Sequence, residues 1–195
     1  MNKKTIWITG ASSGIGEASA RKFAKEGWKV IVSARRVELL EKLSEDENIF
    51  SYPLDVTDSV KAKEVFKKII EDHRHVDLCI FSSGTYERKS EKELDVQNIK
   101  HVIEVNFLGV INCVSAVEKY YKDKNIGHIA VVSSPVGYRG LPKSSGYTPS
   151  KAALNNFTQG IYFDFKKFNV NVSLITPGFI KTALTDNNEF KMPFL

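Results

Sequence analysis

The chain has 195 residues, 42% hydrophobic and 26% charged, enough for one well-buried domain but not for two. Its net charge of +5 is spread along several helical stretches without a dense basic arm, which reads as a solvated surface and not as a nucleic-acid interface. The opening MNKKTIWITG reaches a glycine too soon for a signal-peptide core, and no apolar run approaches the length of a bilayer span, so a soluble, cytoplasmic protein without a membrane partner is expected.

Strand-like and helix-like patterns alternate from the start. Thr5 to Thr9 is β-branched and apolar, and helical spacing follows from Gly14 to Gly27 through Ile15, Ala18, Phe23 and Ala24. Val30 to Ser33 is a second strand, and Val37 to Glu45 a helix with Leu39, Leu40 and Leu43 on one side. Ile49 to Leu54 reads as the third strand, with Thr57 able to cap the helix after it. His73 and His75, at the charged end of that helix, read as surface residues. Leu78 to Phe81 is the fourth strand. A long helix from about Val96 to Tyr121 is predicted next, then a strand at Ile129 to Val132, a helix at Tyr147 to Phe168 and a strand at Val170 to Ile175. Cys79 and Cys113 lie in apolar stretches and read as small buried hydrophobes, with no metal-ligand spacing. This alternation predicts one α/β domain, a doubly wound parallel sheet of Rossmann type with about six strands.

The first strand runs straight into Gly10-Ala11-Ser12-Ser13-Gly14-Ile15-Gly16 and then a helix. Gly10 suits a sharp backbone bend, Gly14 and Gly16 permit close approach, and the helix N-terminus offers free N–H groups and a positive dipole end to a pyrophosphate. The spacing G-x-x-x-G-x-G differs from the more familiar G-x-G-x-x-G, and its place after the first strand gives it weight. The second strand ends at Ser33-Ala34-Arg35-Arg36. Ala34 stands where an NAD site usually carries a carboxylate, and Arg35, assisted by Arg36, can pair with a 2′-phosphate. NADP(H) is therefore favoured over NAD(H), the alternative being that both arginines are solvated helix-start residues.

With these features, Asp55-Val56, Asn106, Ser134, Tyr147 to Lys151 and Pro177-Gly178 make the sequence from Lys4 to about Thr182 resemble the short-chain dehydrogenase/reductase family in its one-domain form. The resemblance implies an oxidoreductase acting on a small carbonyl or alcohol. Hydride delivery to a carbonyl builds charge on oxygen, so a proton donor is needed there. Tyr147 is the candidate. Lys151, four residues on and on the same helical face, can lower the phenol pKa by roughly 1–3 units. In the family the matching lysine also holds the nicotinamide ribose. Ser134 lies at the family's interval before Tyr147 and would orient the substrate oxygen; Ser133, facing the other way, is not chosen.

Asn106 completes the apolar stripe of Ile99, Ile103, Val110, Cys113 and Val117. A buried amide there either makes a structural hydrogen bond or, as the resemblance implies, anchors a water in a proton relay to Lys151. The resemblance also sets Asp55 and Val56 near the adenine, and Pro177, Gly178, Ile180 and Thr182 over the nicotinamide.

Two departures stand out. Ser82-Ser83-Gly84 replaces the usual Asn-Ala-Gly, a change a serine hydroxyl is expected to tolerate. The sequence also ends at Leu195, where relatives continue through a substrate lid and a seventh strand; 182–195 reads as the start of that lid. Relatives commonly pair through the two long helices, so a homodimer is expected. The rival reading is a non-catalytic NADP(H)-binding sensor or scaffold.

Overall fold

The computed structural model describes residues 3–86 and 94–182. Six strands, β1 (Thr5–Thr9), β2 (Lys29–Ser33), β3 (Ile49–Ser51), β4 (Leu78–Phe81), β5 (Gly127–Val132) and β6 (Val170–Ile175), form one sheet in the order β3-β2-β1-β4-β5-β6. Every neighbouring pair is parallel. In β1 the side chains alternate between two cores. Ile6 and Ile8 join Val30, Val32 and Ile80 beneath helices α1 (Gly14–Lys25) and α2 (Val37–Leu43). Trp7 points the other way, with Ile31, Phe81 and Ile129, against α3 (Ser59–His73), α5 (Gly109–Lys124) and α6 (Tyr147–Lys166). Covering both faces is what makes the strands short continuous apolar runs.

Several element ends differ from the sequence expectation. β3 stops at Ser51, three residues early, because Pro53 has no N–H for the ladder, although Tyr52 and Leu54 still donate to Val32 and Ala34. Asp58, not Thr57, caps α3, its Oδ1 accepting from the Lys61 N–H at 2.8 Å. His73 is buried, contrary to expectation. It lies against Phe50 and Tyr52, its Nε2 is 2.9 Å from the Tyr52 hydroxyl, and burial pulls its pKa below the usual imidazole value.

The long helix is interrupted. After α4 (Val96–Ile103) comes a π turn (Glu104–Leu108) before α5. The wider turn changes the phase of the stripe. Ile99 and Ile103 are half-buried, whereas Val102 and Val105 are buried ahead of Val110, Cys113 and Val117. From Val96 to Lys124 this stretch is long and apolar enough to match a membrane span by length and composition, contrary to the expectation that no apolar run approaches that length; Val110, Cys113, Val114, Val117 and Tyr121 on it face the core.

Candidate active site

The chain winds outward from β1 through β2 to β3 and, in the other half, from β4 through β5 to β6, so the crevice between β1 and β4 is the switch point at which open α/β sheets bind ligands. The β1–α1 turn and Ser82-Ser83-Gly84 border it. Gly10 has φ +70°, and a Cβ there would lie 2.7 Å from the Ser83 backbone. A Cβ on Gly16 would collide with the Gly10 carbonyl oxygen. The turn is thus pressed flat against both the helix start and the neighbouring strand end. The Ser82 hydroxyl donates to the Thr9 carbonyl at 2.7 Å.

Ser13 makes no side-chain cap for α1. The Ser13 hydroxyl instead accepts from Arg36 Nη2 at 2.8 Å, and the Ser12 hydroxyl accepts from Nε and Nη2 of the same guanidinium at 3.1 and 2.8 Å. The first N–H groups of α1, including that of Ile15, are therefore not capped by Ser13, and a cation sits beside them. This is a cradle suited to the phosphates of a dinucleotide. Arg35 and Arg36 are both exposed, and Arg36 is the one tied to the loop by hydrogen bonds. The Asp55 carboxylate accepts from the N–H and hydroxyl of Thr57 at 3.0 and 2.8 Å, and Val56 is buried against Gly109. Asn112, not singled out from sequence, fixes this segment by donating to the Val56 carbonyl at 2.9 Å.

At the end of β5 three side chains converge. The Ser134 hydroxyl interacts with Tyr147 in the sense that favours the ionised phenol, and its Oγ accepts from the Val136 N–H at 3.4 Å. Lys151, 4% exposed, donates to the Val132 carbonyl at 3.1 Å, with its Nζ 5.6 Å from the centre of the Tyr147 ring. Burial lowers the Lys151 pKa to about 8. Tyr147 moves the opposite way from the sequence expectation. Burial raises its pKa, the Ser134 hydrogen bond opposes the rise, and Tyr86 adds to it. The Tyr86 ring meets the Tyr147 ring edge-on at 5.0 Å.

Asn106 is fully buried in the π turn. Its Oδ1 accepts from the Thr85 N–H at 2.7 Å, and its Nδ2 donates to the Thr85 carbonyl at 2.9 Å and to Ser150 Oγ at 3.1 Å. The amide thus clamps the backbone after Gly84 and, through Ser150, the start of α6. Gly84 lies between: a Cβ there would be 3.8 Å from Lys151 Nζ. Pro177, Gly178, Ile180 and Thr182 follow β6, and the Thr182 side chain approaches Gly14. Residues 183–195, expected to belong to the start of the lid, lie outside the described residues.

The short chain dehydrogenase family profile matches residues 4–192. An uncharacterized oxidoreductase of Myxococcus xanthus is 32% identical over 200 residues, covering 100% of this chain and 79% of the relative. A dehydrogenase/reductase SDR family protein 7-like of Dictyostelium discoideum is 33% identical (94% and 61% covered), and the Homo sapiens SDR family member 7 is 30% identical (94% and 57%). The chain spans about three fifths of the length of these last two. Among solved structures, ElxO with NADP bound superposes with a TM-score of 0.89 at 29% identity, covering 93% of this chain and 76% of that one. A variant of actinorhodin polyketide ketoreductase with NADPH gives 0.87 at 25% identity, with 97% and 78% covered. Matched over nearly its whole length, with a doubly wound sheet to carry the match, the chain belongs to the short chain dehydrogenase family of oxidoreductases.

Proposed function

We propose that this chain transfers a hydride between NADP(H) and a small-molecule carbonyl or alcohol, with Tyr147 as general acid in reduction and general base in oxidation. The meeting of Ser134, Tyr147 and buried Lys151 at the end of β5, beside the glycine turn, carries this reading. The glycine cradle and the Arg36 guanidinium support NADP(H), as does the NADP bound to ElxO. When bound, the nicotinamide supplies or accepts the hydride.

The residues of the chain manage the proton. Raised by burial, the Tyr147 phenol stays protonated at neutral pH and is available to give its proton to the substrate oxygen. Ser134 donates toward the phenol oxygen and steadies the phenolate left behind. The Lys151 ammonium adds charge stabilisation in a dry setting where Coulomb terms are strong. In oxidation the same phenolate takes the alcohol proton. Asn106 holds the backbone on the far side of the crevice. Residues from 182 onward are read as the start of a substrate lid, and the helices around Leu108 and Phe163 as the face of a homodimer.

NADPH oxidation across a panel of aldehydes, ketones and quinones, compared with Tyr147→Phe, tests the reading. Turnover that drops by about a hundredfold or more in the variant, with NADPH binding retained, is expected. Tight NADPH binding without turnover of any substrate would instead make the chain a sensor or scaffold.

A further inference from the structure

Three consecutive residues at the end of β5 are stitched to one face of α6. The Val132 carbonyl accepts from Lys151, Ser133 Oγ donates to Asn155 Oδ1 at 2.6 Å and lies 3.2 Å from the Lys151 carbonyl, and Ser134, the next residue, interacts with Tyr147 in the sense that favours the ionised phenol. Tyr147, Lys151 and Asn155 are spaced by four residues each, so they form a single stripe along the helix. Two of the three are the residues assigned above to the chemistry. The third is buried, 4% exposed, and lies beyond them.

Asn155 also touches the segment on the other side of Ser134. A Cβ on Gly137, in the 3₁₀ turn Pro135–Gly137, would lie 2.5 Å from Asn155 Nδ2 and 2.7 Å from the Lys151 carbonyl oxygen. The turn therefore rests directly on the amide. Ser134 is bracketed: Ser133 is held by the acceptor end of Asn155, and Gly137 is seated against its donor end. Nδ2 has no hydrogen-bond partner among the described residues. Keeping a buried amide with an unpaired donor is costly, so the acceptor bond to Ser133 is the feature that accounts for an asparagine here.

We infer that Asn155 is a positioning residue for the proposed reaction: by fixing Ser133 and the turn at Gly137, it sets the register in which the Ser134 hydroxyl meets the Tyr147 phenol. The inference rests on the reading of Tyr147 as the proton donor. Asn155 acts at one remove, through Ser133 and the backbone, and does not itself reach the reacting atoms.

The test uses Asn155→Leu, which removes the acceptor at similar volume, Asn155→Asp, which retains it, and Ser133→Ala, which removes the donor. NADPH affinity, kcat and KM are measured on the carbonyl that turns over. In parallel, fluorotyrosine-labelled protein gives the Tyr147 fluorine resonance, identified by its loss in Tyr147→Phe. Asn155→Leu is expected to lower kcat about tenfold or more, to leave the NADPH Kd within about twofold, and to displace the Tyr147 resonance. Asn155→Asp should bring kcat and resonance back toward the parent, and Ser133→Ala should reproduce the leucine variant. A folded Asn155→Leu with unchanged kcat and resonance overturns the inference, as does a kcat loss that tracks NADPH affinity or that aspartate does not relieve. Should no carbonyl turn over in the parent protein, the activity reading fails and the resonance alone judges Asn155. Should Asn155→Leu fail to fold, Ser133→Ala breaks the same bond from the other side and carries the same expectation.

Discussion

Burying an ammonium is expensive, and Lys151 shows the expense at residue scale. Its folded pKa of about 8 lies below its ordinary 10.5 because the charge is desolvated. Below pH 8 both folded and unfolded chains hold the proton, and the folded state bears the full penalty. Between 8 and 10.5 the unfolded chain binds more protons than the folded one, so this penalty is relieved and stability rises with pH. The shift corresponds to about 3 kcal/mol, offset on removal of the side chain by about 1 kcal/mol for the hydrogen bond to Val132. Lys151→Met should therefore be inactive yet more stable than the parent by about 1–3 kcal/mol at pH 7, with the advantage shrinking as pH rises past 8. Urea unfolding at pH 7 and 9.5 measures it; a variant less stable by the same margin at both values would contradict the argument. Neither pKa displacement was legible in the sequence. The four-residue spacing gave the Tyr147–Lys151 pair, but the direction of a titration depends on burial, and burial here is supplied by β5, the π turn and Tyr86.

At the scale of elements, the β1–α1 turn and the end of β2 act as one unit because Arg36 joins them. The cradle was readable from Gly10, Gly14 and Gly16. Which of two adjacent arginines faces it was not, since the answer depends on how the chain leaves β2. Arg36→Ala should raise the NADPH Kd roughly 10- to 100-fold, the worth of a hydrogen bond to a charged group, with NADH affinity changed by less than about twofold. Arg35→Ala should have the smaller effect. Fluorescence titration with both nucleotides decides, and the reverse ranking would return the role to Arg35. The π turn illustrates a second limit. A single widened turn has no compositional signature, so a helix of period 3.6 was drawn straight through it. Asn106 was still conspicuous as a buried-stripe amide, and the structure gives it hydrogen bonds to Thr85 and Ser150. Asn155 was equally available as the next step of four after Lys151, but nothing in the sequence says that β5 presents a hydroxyl to it.

At the scale of the molecule, the parallel, doubly wound sheet followed from alternation, because parallel strands buried on both faces are apolar throughout and their connections must cross over, whereas the strand order is known only from the structure. What alternation does not determine is which outer faces stay uncovered. On α6, Phe163 is 65% exposed and its neighbour Tyr162 38%, the two rings packed edge to face at 5.2 Å; at the π turn Leu108 is 38% exposed. Gly160, one turn before Phe163, has nothing within 4 Å of where its Cβ would be, which leaves room for a second helix to approach. Paired aromatics of this kind on an open helix face are suited to burial in an interface. If the proposed homodimer forms through these helices, multi-angle light scattering should give twice the mass of the chain at micromolar concentration. Phe163→Asp should give a monomer with an unaltered circular dichroism spectrum, because a carboxylate desolvated at the centre of such a face costs several kcal/mol. A parent protein that is monomeric under the same conditions, or a Phe163→Asp variant that remains dimeric, would move the interface elsewhere or remove it.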